Sequence, residues 1–363
     1  MRCATSLRLQ EPLLLIQRYK GEKMTIYMNL GETSYDIVVE KGVLERASEL
    51  LNLKRRVLVV TDTGVPKEYA SALVAQCCEV ALYTVEQGEG SKSFTVLEDL
   101  LRVMLEKGFS RGDCIVAVGG GVVGDLCGFA ASVYMRGIDF YNIPTTLLSQ
   151  IDSSIGGKTA INFEGVKNIV GAFYQPKKVL IDPELLSTLP QRQISNGLAE
   201  AVKVALTSDK ELFSIFERGD IESNIDEIII RSLNVKKAVV ELDEKEAGLR
   251  KVLNFGHTIG HGIESSVGMS ELYHGECVAH GIIPMCDEGI RPRVINVLKK
   301  CNLLRKIDYD WQKIAEAAFH DKKADGKEVA VTTVSEIGSF NMKRVACSDL
   351  IDMARGCLEG LSE

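Results

Sequence analysis

The sequence predicts an α/β first half followed by a mostly α-helical second half. Three observations predict it. Between residues 24 and 182, short runs rich in β-branched residues alternate with helical periodicity, the signature of a parallel sheet with crossover helices. One of those runs leads directly into Gly119-Gly120-Gly121-Val122-Val123-Gly124-Asp125, so glycines fall where a strand must turn into a helix. After Pro183 the β signal almost vanishes. Domains are therefore expected at 24–182 and 183–363, with residues 1–23, which lack a clear period, as a disordered extension.

Taken in order, Met24 opens a strand-like run, and further strands are expected at 56–61, 80–85, 114–118, 140–143 and 178–181. Helices are expected between them at 94–107 and 122–134, where apolar residues recur every three or four positions. The same period marks 193–207, 225–242, 275–287 and 311–320 in the second half. No internal repeat or low-complexity linker interrupts the chain.

Composition narrows the function. A chain of 363 residues with 45% apolar content can bury a sizeable core and suits about two domains. Its 43 basic and 50 acidic side chains leave a net charge of -7, and no Lys/Arg cluster exceeds three, so no nucleic-acid partner is expected. Ten cysteines contain no C-x-x-C pair and read as reduced thiols of a cytoplasmic protein. The apolar stretch 114–135 carries Asp125 and five glycines, which suits a buried strand, turn and helix and not a membrane span. Leu13 to Ile16 is too short for a signal-peptide core.

The glycine turn contains G-x-G-x-x-G at 119, 121 and 124. Placed between a buried strand and a helix, it lets backbone approach a pyrophosphate and aims a helix N-terminus at its charge, a Rossmann-like nucleotide-binding arrangement. A tight turn without a ligand is the alternative. Asp62 ends an earlier strand, where a carboxylate can accept bonds from ribose hydroxyls, and Gly88-Glu89-Gly90-Ser91-Lys92 follows another. Asp139, near the spacing where the acidic residue of a plain Rossmann fold falls, precedes its strand, so Asp62 and Glu89 are the expected nucleotide holders.

Four of the five histidines, His257, His261, His274 and His280, fall within 24 residues. Arg250, Asn254, His257 and His261 are spaced 4, 3 and 4 apart and would line one face of a continuous helix. Gly256, Gly260 and Gly262 weaken such a helix, which suggests close approach to a ligand. Two histidines at i, i+4 suggest zinc, but Thr258 stands where an H-E-x-x-H motif places its glutamate, which disfavours a zinc protease. His274 and a carboxylate, best Glu200, remain as further ligands. Taken alone, Glu200 and Lys203 at i, i+3 read equally as an ordinary ion pair.

Together these segments resemble the 3-dehydroquinate synthase family, over nearly the whole chain from Met24. The stretches that carry the likeness are 119–125, 144–148, 150–158, Lys167-Asn168, 197–203, 243–261, His274-Gly275-Glu276 and Asp321-Lys322-Lys323. The resemblance implies a homodimer with NAD and one divalent metal, zinc or alternatively cobalt. It implies conversion of 3-deoxy-D-arabino-heptulosonate 7-phosphate to 3-dehydroquinate and phosphate, a step of the shikimate pathway to aromatic amino acids. It assigns the metal to Glu200, His257 and His274. NAD contacts would fall on Asp62, Glu89, Lys92, Gly120, Gly121, Val122, Asp125, Thr145, Thr146, Lys158, Lys167 and Thr188. Arg136, Asp152, Lys158, Asn168, Lys203, Lys236, Arg250, Asn254, His261 and Lys322 would serve the substrate. Gly64 departs from the asparagine usual in the family, which removes one adenosine-side hydrogen bond. Other sugar phosphate cyclases and metal-dependent NAD polyol dehydrogenases of the same superfamily are the alternatives. The second is disfavoured because iron-type alcohol dehydrogenases place a histidine four residues after the ligand carboxylate, where this chain has Val204.

Overall fold

The β-branched runs of the first half assemble into one seven-stranded sheet. In a computed structural model describing residues 23–267, 272–319 and 328–361, the strands are β1 Met24–Met28, β2 Tyr35–Val39, β3 Arg56–Asp62, β4 Glu79–Val85, β5 Cys114–Gly119, β6 Asp139–Pro144 and β9 Lys178–Ile181. Their order is β1-β2-β9-β6-β5-β3-β4, parallel throughout except for the β1–β2 pair. The helices of this unit are α1 Ala47–Leu50, α2 Lys67–Val74, α3 Phe94–Glu106 and α4 Gly121–Val133.

Alternation along β3 explains why both faces are covered. Val57 and Val59 pack with Ala70 and Leu73 of α2, whereas Leu58 and Val60 pack with Leu97 and Leu100 of α3 and Leu126 of α4. Burying each such side chain contributes about 1.5–3 kcal/mol. Because β3, β4, β5 and β6 are parallel, their C-terminal ends share one edge. Asp62, the turn after Val85, the glycine turn and Thr145 all follow there.

A separate antiparallel hairpin, β7 Lys158–Phe163 and β8 Val166–Phe173, was not expected from the sequence. Its two-residue turn, Glu164 and Gly165, has φ of 50° and 79°, the left-handed geometry of tight hairpins. Much of β8 is exposed, so it lacks the apolar period that marks the central strands.

The chain divides into two compact units after Pro190, later than the expected boundary at 182, because the turn Pro183–Thr188 sends Leu185 into the first unit's core. The second unit holds α5 Gln191–Ser208, α6 Lys210–Arg218, α7 Ile225–Leu242, α8 His257–Val267, α9 His274–Ile282, α10 Arg291–Lys300, α11 Trp311–Phe319 and α12 Cys347–Leu358. Asp209 starts α6 by accepting from the N–H groups of Glu211 and Leu212, both at 3.0 Å.

Three expectations change here. The helix expected at 275–287 stops at Ile282 and tightens into a 3-10 turn over Ile283–Met285, around Pro284. A hairpin, β10 Glu328–Thr333 with β11 Asn341–Ala346, interrupts the helical half. Arg250 and Asn254 do not continue the helix of His257 and His261. They lie in a 3-10 turn, Leu249–Asn254, and Gly256 at φ +78° breaks the chain before α8. Among the described residues, no helix is long and apolar enough to cross a membrane. Lys322, His320 and residues 1–22 of the extension expected at 1–23 lie outside the described residues.

Candidate functional site

Helices α5, α8 and α9 approach closely because their contact points are glycines. A Cβ on Gly260 would sit 3.0 Å from Val278 Cα, one on Gly275 2.2 Å from Asn196 O, and one on Gly281 2.0 Å from Gly256 O. At Gly256, Gly260 and Gly262 the close approach is to neighbouring backbone.

That packing brings Glu200 from α5, His257 and His261 from α8, and His274 from α9 into one cluster. The ligand atoms of the three histidines lie within 4.8 Å of one another. Glu200 is buried, and its Oε1 lies 3.7 Å from both His257 Nε2 and His274 Nε2. These separations exceed hydrogen-bond range, and Oε1 accepts no hydrogen bond among the described residues. A buried carboxylate oxygen left in this way is costly unless a cation satisfies it. Lys203 Nζ contacts the other oxygen, Oε2. The donor set, one carboxylate and imidazole nitrogens around one point, suits a zinc-like divalent ion.

Electrostatics act on the two histidines in opposite directions. Burial, then the Lys203 charge, push His257 down to about 3, so its ring is neutral at physiological pH. Its Nδ1 faces the Phe255 carbonyl at 3.1 Å, which leaves the Nε2 lone pair free to coordinate. Burial opposes charge on His274 too, but the Glu200 and Glu264 carboxylates outweigh it and raise it to about 9. Burial also opposes the charged form of Glu200, yet Lys203 and the histidines hold its carboxyl well below the usual range.

Glu264 escaped the sequence reading. Its Oε2 lies 3.2 Å from His274 Nδ1 and orients that ring toward Glu200. The signal was available, since Glu264 follows His261 by three positions and His257 by seven on the same helical face. Glu276, fully buried, fixes the start of α9. Arg192 reaches it with two bonds, at 2.9 and 2.7 Å, Arg305 adds one at 3.1 Å and the Tyr273 N–H one at 2.9 Å.

Also in the second unit, Lys236 and Arg250 are buried. Arg250 is placed by Asp243, whose carboxylate accepts its N–H at 2.9 Å together with those of Ala247 and Gly248, each at 2.8 Å. Asn254 points its amide at Glu246, at 2.8 Å. His280 stays out of the cluster: it is buried against Tyr309, whose hydroxyl lies 2.7 Å from its Nδ1.

In the first unit, packing accounts for part of the glycine turn. A Cβ on Gly119 would meet Val123 Cγ2 at 2.6 Å, and one on Gly121 would meet Ser153 Oγ at 2.8 Å. Gly120 is the N-cap of α4 and has no side chain to cap it, so the helix presents bare N–H groups of Gly121 and Val122 at its start. Thr145 donates its N–H to Gly119 O at 3.0 Å, and Thr146 Oγ1 pairs with Ser149 Oγ at 2.8 Å beneath the same turn. Lys92, buried, reaches Asp125 Oδ2 at 2.7 Å and Glu89 Oε1 at 3.5 Å, and contacts Asn168 Oδ1. Asp62 Oδ1 accepts the Gly64 N–H at 2.8 Å. Where a side chain at 64 would lie, the Gln87 carboxamide stands, 2.3 Å from the ideal Cβ position. Thr188 Oγ1 pairs with Tyr69 OH at 2.8 Å. Asp152 lies in the π turn Ser149–Ser153. Lys158 opens β7, Lys167 is on β8, and Arg136 follows α4 with φ of 69°.

Comparison with known proteins follows the same division. A family model described as 3-dehydroquinate synthase N-terminal matches residues 82–196, and one described as 3-dehydroquinate synthase C-terminal matches 197–324. The curated 3-dehydroquinate synthase of Streptococcus sanguinis (strain SK36) is 40% identical over 351 residues, which cover 90% of this chain and 98% of that one. The crystal structure of 2-deoxy-scyllo-inosose synthase complexed with carbaglucose-6-phosphate, NAD+ and Co2+ has a TM-score of 0.84 at 26% identity, covering 92% of this chain and 100% of that one. That of 2-epi-5-epi-valiolone synthase from Streptomyces hygroscopicus subsp. jinggangensis 5008, with NAD+ and Zn2+ bound, scores 0.82 at 29% identity, covering 92% and 99%.

Proposed function

The chain belongs to the 3-dehydroquinate synthase family, and from that premise we propose that it converts 3-deoxy-D-arabino-heptulosonate 7-phosphate to 3-dehydroquinate and phosphate with NAD and one divalent metal bound. The observation that carries the reading is the convergence of His257 and His274 on the buried Glu200 Oε1. When bound, NAD supplies a hydride acceptor that is restored within the same turnover, and the metal supplies Lewis acidity to a substrate hydroxyl.

Glu200, His257 and His274 are the proposed metal ligands, and His261, exposed beside them, is kept for the substrate. Lys203 holds Glu200 ionised and turned so that Oε1 faces the histidines. Arg250 offers a planar fork to the substrate carboxylate, with Lys236 as a second cation. Arg136, Lys158, Asn168, His261 and Lys322 are assigned to the phosphate. Asp152 and Lys203 are the protein groups proposed to move protons. NAD is assigned to Asp62, Glu89, Lys92, Asp125, Gly120, Gly121, Val122, Thr145, Thr146, Lys158, Lys167 and Thr188, its pyrophosphate at the start of α4. We assign the enzyme to the cytoplasm, in keeping with described cysteines that are all free thiols, and to a homodimer, as the resemblance implies.

Likeness to two other cyclases supports a second reading, in which the substrate is a sugar phosphate without the carboxylate. One assay separates the readings. Purified protein with the heptulosonate phosphate and substoichiometric NAD should release phosphate and form 3-dehydroquinate without accumulating NADH. Stoichiometric NADH would indicate a polyol dehydrogenase, equal turnover of a substrate lacking the carboxylate would indicate another cyclase, and turnover untouched by a strong chelator would remove the metal from the mechanism.

A further inference from the structure

We infer that Asn162 is a positioning residue, which locks the groups assigned to NAD and the group assigned to the substrate phosphate into one network; this rests on the reading just given. Asn162 lies where the β7–β8 register breaks, between Ile161 and Phe163. A break of this kind takes a residue out of the ladder and re-aims its side chain.

Three hydrogen bonds leave this one residue. Its backbone N–H donates to the Lys92 carbonyl at 2.8 Å. Its Nδ2 donates to Glu89 Oε1 at 2.9 Å, and its Oδ1 accepts the Asn168 N–H at 2.9 Å. Glu89 and Asn168 are also the residues that Lys92 Nζ contacts, together with Asp125. The same oxygen, Glu89 Oε1, thus faces both the Lys92 ammonium and the Asn162 amide. Asn168 holds φ at 55°, a left-handed conformation uncommon outside glycine, and its N–H is fixed there by Asn162. The carboxamide carries on one planar group the donor that Glu89 takes and the acceptor that the Asn168 N–H takes. Asn162 belongs to neither apolar core, and the partners of its side chain are polar groups of the site. A side chain that served packing alone would have no need of both functions.

The two ends of the amide can be separated. N162D has the same size and keeps the acceptor for the Asn168 N–H, but it sets an oxygen against Glu89. N162A removes both ends. With the metal-loaded protein, N162D should raise the NAD dissociation constant by calorimetry about tenfold, while KM for the heptulosonate phosphate at saturating NAD stays within about twofold. N162A should raise both constants. Unaltered NAD affinity in N162D, or a rise in NAD dissociation constant and KM by the same factor in that variant, would overturn the inference. N162D, being isosteric, decides the matter even if N162A does not fold. If the unsubstituted protein itself fails to bind NAD, the functional reading falls and takes the inference with it. Normal binding by the unsubstituted protein and both variants removes only the role of Asn162.

Discussion

His274 shows how one side chain acquires its chemistry from another. Its Nδ1 side faces Glu264 at 3.2 Å and its Nε2 side faces Glu200 at 3.7 Å, so a carboxylate fixes the ring that a cation would use. Groups of this kind raise ligand basicity and hold ring orientation. E264Q should therefore weaken the bound divalent metal by about 10–100-fold in chelator competition. An unchanged metal affinity in folded E264Q protein would show that Glu264 does not serve the centre. At Gly64 the compensation runs the other way, because the volume that a side chain there would need is occupied by the Gln87 carboxamide. The departure at 64 thus leaves no gap.

At the scale of elements, the segment from Asp243 to Asn254 replaces the expected helical face. A helix would have placed Arg250 by periodicity alone. Here a turn places it, and Asp243 closes that turn by accepting three backbone N–H groups. Those bonds, led by the one from Arg250, hold the Asp243 carboxyl below its ordinary value. A lowered carboxyl stabilises the fold fully above its unfolded value, about 3.9, and loses that contribution as pH falls through the lower folded value. Amide protection at 247, 248 and 250 should accordingly persist from neutral pH down to that range and collapse only below it. D243N should lose the protection at every pH and lower kcat/KM roughly tenfold or more through misplacement of Arg250. Protection insensitive to the substitution would mean that the turn is held by other contacts.

At the scale of the molecule, the proposed contacts of NAD described in the structure fall within residues 23–190 and those of the metal within 191–361. Each ligand that binds only the folded state adds stability, about 2.7 kcal/mol at one hundred times its dissociation constant. NAD should slow amide exchange in the first span, and a chelator should speed it in the second. Exchange unaffected by either ligand would contradict the assignment of sites to units. Much of this was legible in the sequence. The central strands and most helices follow from period and β-branching, because a buried face imposes its repeat on the residues that fill it. The glycine turn was legible too, since a tight turn admits few residue types, whereas the family resemblance, not spacing, singled out Glu200, His257 and His274, which the structure brings together. Sequence spacing did not tell that Arg250 and Asn254 leave the helix, that the glycines of α8 serve helix contacts, or that Glu264, Asn162 and Gln87 complete the polar networks. Several of those facts depend on segments apart in the chain, as His274 meets Glu264 across 10 residues and Asn162 meets Glu89 across 73. The sequence by itself therefore determined the layers of the fold and the chemical types at the site. Only the tertiary structure decided which polar atoms satisfy one another, because hydrogen bonds between distant segments leave no period in the chain.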